Sequence, residues 1–469
     1  MIFDHIAELA GSRKKIMAGY DLGSSSAQVS YIGPDMDRPE TAAAVTGTQI
    51  YNIPTVLCKR KNVNQWYYGR SAEKMAGSDQ AVMVDHLLER ARSGEKVNIE
   101  GEEYDPVALL TLFIKRSLSV LTFVGSIENI GGIMFTVESL DDRMISVFHT
   151  VAKNLGLDNT DIYFQDYAES LFHYMMYQPA EMWMNEVVAF QYDGGHMHMY
   201  RMDRNTHTTP TVVLIEEEIT DGLRLPEGAP EVNPKTPAAE GTVPGNAVTE
   251  ESAGTDSTEE TAADEDRKRA LERLDEQFDT YLLQAFGDKP QSCVYLLGEG
   301  FKEKWMARSL RTICQRRKVF RGNNLFSTGA CCCMMDKQKP SENTSRHVYL
   351  GRDKLKSNVG MNVFRQGREE YFALLDAGTN WYEADREVEC IMAEDPSISL
   401  IVTPLDGQKV HMEVLTLRNI PERPAKTTRV HIKLAMTAVD EVQVNVSDMG
   451  FGDIYRSSGQ TWDFTLKLI

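Results

Sequence analysis

Apolar and polar positions alternate from Ile16 to Tyr31 and break once, at Asp21-Leu22-Gly23-Ser24-Ser25. Alternation interrupted by a small polar break predicts two strands joined by a tight turn. Ile53-Pro54-Thr55-Val56 reads as the start of a buried strand. From Tyr104 to Phe123 the period changes: Leu109, Leu110, Leu112, Phe113 and Leu118 return to one helical face. Ile130–Val137 predicts an apolar strand. Leu140–Leu155 predicts a helix, with Asp141 and Asp142 at its start and Gly156 past its end. A short strand over Ile162–Phe164 and a helix over Ala168–Tyr177 follow. Then comes a strand pair, Glu186–Tyr192 and Met197–Met202, joined by Asp193-Gly194-Gly195-His196. Strands alternating with helices predict an α/β domain over residues 15–336, preceded by a 1–14 extension with a short helix.

The pattern stops at residues 226–266. This segment has five prolines, no aromatic residue, eleven acidic residues and one basic residue, Lys235. Such a composition cannot bury enough surface to order itself and predicts a disordered acidic insertion. Helical spacing resumes from Arg267 to Phe286, and a buried strand over Ser292–Leu297 ends at Gly298-Glu299-Gly300. Helices are predicted over Trp305–Arg316 and from Phe326 to Met335. Residues 337–345 read as a polar linker, too polar to couple its neighbours strongly. Residues 346–469 are mostly period two with regular glycine turns, which predicts an all-β sandwich of seven or eight short strands.

At 469 residues the chain is too long for one core. Its net charge of -19 argues against nucleic acid or an anionic membrane surface as the main partner. Ten of those nineteen charges come from the acidic insertion. The seven cysteines have no metal-ligand spacing, and the adjacent Cys331, Cys332 and Cys333 read as a buried helix start. Cysteine usage of this kind suits a reducing cytoplasm. The early acidic residues exclude a signal peptide, and Lys115 and Arg116 interrupt the most apolar stretch, so no membrane span is expected.

Three glycine-containing turns, each following a strand, carry the candidate chemistry. In the first, Asp21 is placed to hold a hydrated divalent cation, and Gly23, Ser24 and Ser25 to contact a phosphate. In the second, Gly194, Gly195 and His196 are candidates for a second phosphate contact. In the third, Gly298, Glu299 and Gly300 allow close backbone approach of a base or ribose. Each has a plain alternative: an ordinary hairpin, an exposed turn histidine, and a strand-to-helix turn. Lys302 is either a stacking partner for a base or a solvated lysine.

Taken in order, these turns resemble the two phosphate turns and the adenosine turn of the actin-like ATPase superfamily. The local match is to the seventy-kilodalton heat-shock chaperones. Ile53-Pro54-Thr55 with Tyr68-Gly69-Arg70-Ser71-Ala72, Met134-Phe135-Thr136-Val137, Tyr295-Leu296-Leu297-Gly298-Glu299-Gly300 and Phe326-Ser327-Thr328-Gly329-Ala330 are similar to segments of their nucleotide domain. Leu415–Pro424, Val430–Leu434 and Val442–Asp448 are similar to segments of their β-sandwich peptide-binding domain. The resemblance implies a two-lobed α/β actin-like domain followed by an all-β sandwich, and ATP with Mg2+ as ligands. It further implies Asp21 as the metal carboxylate, Asp21, Asp166 and Asp193 as the catalytic carboxylates, and a peptide or protein client.

The departures bear on chemistry. The carboxylate expected before the second phosphate turn aligns with Gln191, or with Asp193 if the turn is shortened. A catalytic glutamate is replaced by Asp166, one methylene shorter, and a strand proline by Glu138. Within these residues no helical lid has a counterpart. A misplacement of about 1 Å can cost roughly 100-fold in rate, so weak or absent hydrolysis is expected. The alternative is a catalytically dead scaffold that docks a fixed protein partner.

Overall fold

The computed structural model describes residues 16–77, 80–124, 129–157, 160–193, 195–226, 262–287, 289–322, 324–393, 395–405 and 408–468. The 1–14 extension, Gly194 and nearly all of the acidic insertion lie outside them. The chain forms two compact units. One comprises residues 1–180, 202–215 and 324–469, the other residues 181–201 and 216–323.

In the first unit, β1 (Ile16–Leu22), β2 (Ser26–Ile32) and β3 (Glu40–Thr41) form an antiparallel meander. Strands β4 (Ile130–Val137) and β5 (Asp161–Asp166) add in parallel on the other side of β1, giving the order β5-β4-β1-β2-β3. All seven residues of β1 and all eight of β4 are buried, because both faces of the sheet are covered. One face packs on α1 (Pro106–Ser117) and α2 (Asp142–Leu155) through Phe113, Phe135 and Phe148. The Asp105 side chain caps α1 and Asp141 caps α2, and Gly156 closes α2 in the left-handed conformation. The helix α3 (Tyr167–Met176) follows β5 directly.

In a second sheet, β6 (Glu186–Tyr192) is flanked by β7 (Met197–Asn205) and β8 (Thr211–Thr220) on one side. On the other side lie β9 (Gln291–Leu297) and β10 (Lys318–Gly322), both parallel. The run β8-β7-β6-β9-β10 has the order of β3-β2-β1-β4-β5 in the first sheet, and a sixth strand, His347–Tyr349, adds in parallel beyond β8. Helix α4 (Ala262–Phe286) buries Leu274, Phe278 and Leu282 against this sheet's core. Its start overlaps the last residues of the predicted insertion. The helix expected over Trp305–Arg316 is confined to Ser309–Ile313. Trp305 turns inward and donates its indole N–H to the Gly300 carbonyl at 2.9 Å, while Asp275 accepts the Ser309 N–H at 2.8 Å.

The chain rejoins the first unit at α5 (Leu325–Gln338), which covers the second face of that sheet. Helix and strand approach so closely that a Cβ on Gly19 would lie 2.1 Å from the Ser327 carbonyl oxygen. Residues 337–345, read as a linker, are folded. Lys337 and Gln338 end α5, and Ser341 caps α6 (Glu342–Arg346). Asn343 donates to the Met176 carbonyl at 2.7 Å. This segment is therefore no free tether; it docks through polar contacts rather than an apolar surface.

His347–Tyr349, expected within the sandwich, pairs instead with Thr211–Val213, and eight further strands follow: β11 (Ser357–Arg365), β12 (Arg368–Leu375), β13 (Asp385–Ile391), β14 (Ser397–Pro404), β15 (His411–Thr416), β16 (Arg429–Ala438), β17 (Glu441–Gly450) and β18 (Thr461–Lys467). They make two four-stranded antiparallel sheets, β12-β11-β14-β15 and β13-β16-β17-β18, around one core. Alternate residues of β16 and β17 (Val430, Ile432, Leu434; Val442, Val444, Val446) fill that core.

Candidate functional site

The first turn closes on itself. The Gly23 N–H donates to the Ser26 carbonyl at 3.1 Å, so it does not face outward. Thr55 braces the turn, its hydroxyl on the Gly23 carbonyl at 2.9 Å and its N–H on the Ser25 carbonyl at 3.0 Å. Ser24 and Ser25 are exposed.

Asp21 is the buried residue of this turn, at 8% exposure. It lies near the C-terminal end of β1, beside Thr136 on β4, and Val137 of β4 lies in turn beside Asp166 on β5. One sheet end therefore gathers Asp21, Gly23 and Asp166. The Asp21 carboxylate already has a partner: the Tyr167 hydroxyl donates to Oδ1 at 2.6 Å. The Tyr167 ring is buried and stacks on Phe326 of α5 at 3.9 Å, nearly parallel to it. Burial pushes the Asp21 carboxyl up to about 7; the Tyr167 hydrogen bond works against this and Glu138 adds to it. Asp166 serves the helix that follows it. Its Oδ1 accepts the Glu169 N–H at 2.7 Å, capping α3.

In the second unit, Asp193 ends the segment after β6. Its Oδ1 accepts the Gly195 N–H at 2.8 Å and the His196 N–H at 2.9 Å, which makes a self-contained turn. His196 Nδ1 lies 2.7 Å from the Asp221 carboxylate, and both side chains are exposed. Gly298 stands at the same sheet end with φ 96°. A Cβ there would meet the Tyr192 carbonyl oxygen at 2.3 Å, so the turn is built on tight packing against β6. Lys302 pairs with Glu299 at 2.6 Å. Asp193, Gly195, His196 and the Gly298–Gly300 turn thus cluster in this unit, while Gly194 is not among the described residues.

These donors do not fit a water-coordinated magnesium ion. Such an ion needs ionised, accessible carboxylate oxygens. Asp21 is buried and bonded to Tyr167; Asp166 caps a helix; Asp193 holds its own turn.

A second cluster was not picked out from the sequence. Where α3 meets α5 and the C-terminal sheets, Lys354 Nζ lies 2.5 Å from Glu169 Oε1, with both side chains 8% exposed. Burial alone would raise the Glu169 pKa, but Lys354 and His173 hold it down at about 2. Asp336 of α5 accepts hydrogen bonds from Tyr177 at 3.0 Å and Thr344 at 2.9 Å and lies 2.8 Å from His173 Nδ1. Lys337 pairs with Glu383 at 2.6 Å, and Tyr382 donates to the Phe164 carbonyl at 2.8 Å. The available signal was the i,i+4 spacing of Glu169 and His173 on one helix face.

Among the described residues no helix is long and apolar enough to cross a membrane. No curated protein matches the chain. Residues 354–468 match a domain of unknown function, DUF8552. Residues 38–352, more than half of the chain, match the C-terminal model of DUF5716, a family of unknown function, and the chain belongs to that family.

Proposed function

We propose that this chain is an actin-like, chaperone-related scaffold that docks a peptide or protein partner and does not turn over ATP. The observation that carries this reading is the hydrogen bond from Tyr167 to Asp21. It places a neutral phenol, clamped by Phe326, on the carboxylate that a nucleotide-bound cation would need. The two other candidate carboxylates are engaged locally, Asp166 as the cap of α3 and Asp193 within its own turn.

Two further observations support the actin-like part. Both sheets contain a five-strand run of the same order, with two parallel strands added beside the first strand of a three-strand run. Each sheet also carries an aspartate-and-glycine turn after that first strand. The paired four-stranded sheets of residues 357–467 support the sandwich part of the reading.

Thermal unfolding with and without Mg2+ and ATP tests this. The melting temperature is expected to stay unchanged. Stabilisation approaching roughly 2.7 kcal/mol at 100 times Kd would favour an ATP-binding chaperone-like protein instead.

A further inference from the structure

We propose that Glu169, His173 and Cys333 form a binding site for one divalent ion of the zinc class. Among the described residues these three offer ligand atoms that all lie within 4.8 Å of one another, and all three are buried. They share the wall of a cavity of ≈ 310 Å³ with Asp336 and Lys354. A carboxylate, an imidazole and a thiolate with room for a water is the donor set of a three-ligand zinc site.

The site is built into the helices. Glu169 and His173 sit one turn apart on α3, and Cys333 and Asp336 sit about one turn apart on α5. Asp336 is 2.8 Å from His173 Nδ1, which leaves Nε2 facing Glu169 at 3.8 Å. A carboxylate that fixes the far nitrogen of a ligating histidine is the usual support of such a site. Asp336 is accordingly a positioning residue.

A Cys-His-Asp nucleophile reading fits less well. Cys333 lies well inside α5, far from the helix N-terminus whose unpaired N–H groups could stabilise an oxyanion. It also leaves Glu169 without a role.

Lys354 now supplies the positive charge beside Glu169. An arriving ion takes that place: Lys354 swings off, protons leave His173 Nε2 and Cys333 Sγ for solvent, and two positive charges replace them. Lys354 belongs to the C-terminal part and Glu169 to α3, so metal and lysine compete for one carboxylate at their junction.

The test uses the full chain, stripped with EDTA and dialysed against Zn2+ or Co2+. One Zn2+ should remain per chain, and the Co2+ form should show a thiolate charge-transfer band. Cys333→Ser should lose that band and Cys332→Ser should keep it. Asp336→Asn should weaken Zn2+ binding by about 10- to 100-fold. Lys354→Met should melt lower without metal and be rescued by Zn2+. Failure of both the wild type and Lys354→Met to retain Zn2+ overturns the site. So does a charge-transfer band that survives in Cys333→Ser, or an Asp336→Asn affinity equal to that of the wild type.

Discussion

The two aspartate-and-glycine turns begin alike and end differently. Each follows the first strand of a sheet, and the two sheets share a run of five strands in the same order. At Asp21 the carboxylate is buried, and its partner comes from a helix 146 residues away in sequence. At Asp193 the carboxylate is exposed and bonds only its own next two described N–H groups. A short motif fixes the turn, but packing decides whether the acid stays available. The first acid is held by the core, and the second holds its own loop.

The comparison breaks most readily at Tyr167. Tyr167→Ala removes the hydroxyl from Asp21 and the ring from Phe326, and should cost about 3–5 kcal/mol in urea unfolding. A loss below about 1 kcal/mol, the level of an ordinary surface change or single cap, would mean that Asp21 is not tied to the core.

Next in size is a pH effect. The folded-state pKa of Asp21 is raised from 3.8 to about 7. The native state then binds the proton more tightly than the unfolded state. The stabilising contribution is full below about pH 4 and is lost as pH rises through about 7. Between pH 5 and pH 8 the wild type should lose up to about 3 kcal/mol that Asp21→Asn does not lose. Parallel pH profiles for the two proteins would place Asp21 in contact with water.

At the second turn the effects shrink. Asp193→Ala removes one side-chain cap and should cost about 1 kcal/mol. Asp221→Ala, which breaks the exposed pair with His196, should change stability by about 0.5 kcal/mol or less. A larger loss at Asp221 than at Tyr167 would reverse the comparison.

Much of this layout was legible in the sequence because it is local. Ile130–Val137 is read directly from its apolar run, and Asp141 and Gly156 mark the ends of α2. The C-terminal strands follow from period-two alternation, as in β16 and β17. Small residues in Phe326–Cys333 signalled a buried helix, and Gly19 shows why: helix and strand backbones nearly touch there. The illegible part is long-range and polar. Nothing near Asp21 announces Tyr167. Lys354 and Glu169 are 185 residues apart. The polar segment 337–345 read as a tether because composition reports apolar burial but not specific hydrogen bonds such as Asn343 to Met176. For the same reason three adjacent cysteines gave no metal spacing, since only Cys333 shares its cavity with a histidine and a carboxylate.

The most direct test of the central claim is phosphate release from saturating Mg2+ and ATP, measured side by side for the wild type and Asp21→Ala. A sequestered carboxylate predicts two equal rates, both at the level of the protein-free blank. Release by the wild type that Asp21→Ala abolishes would show that Asp21 is free to serve a nucleotide, and would contradict the account.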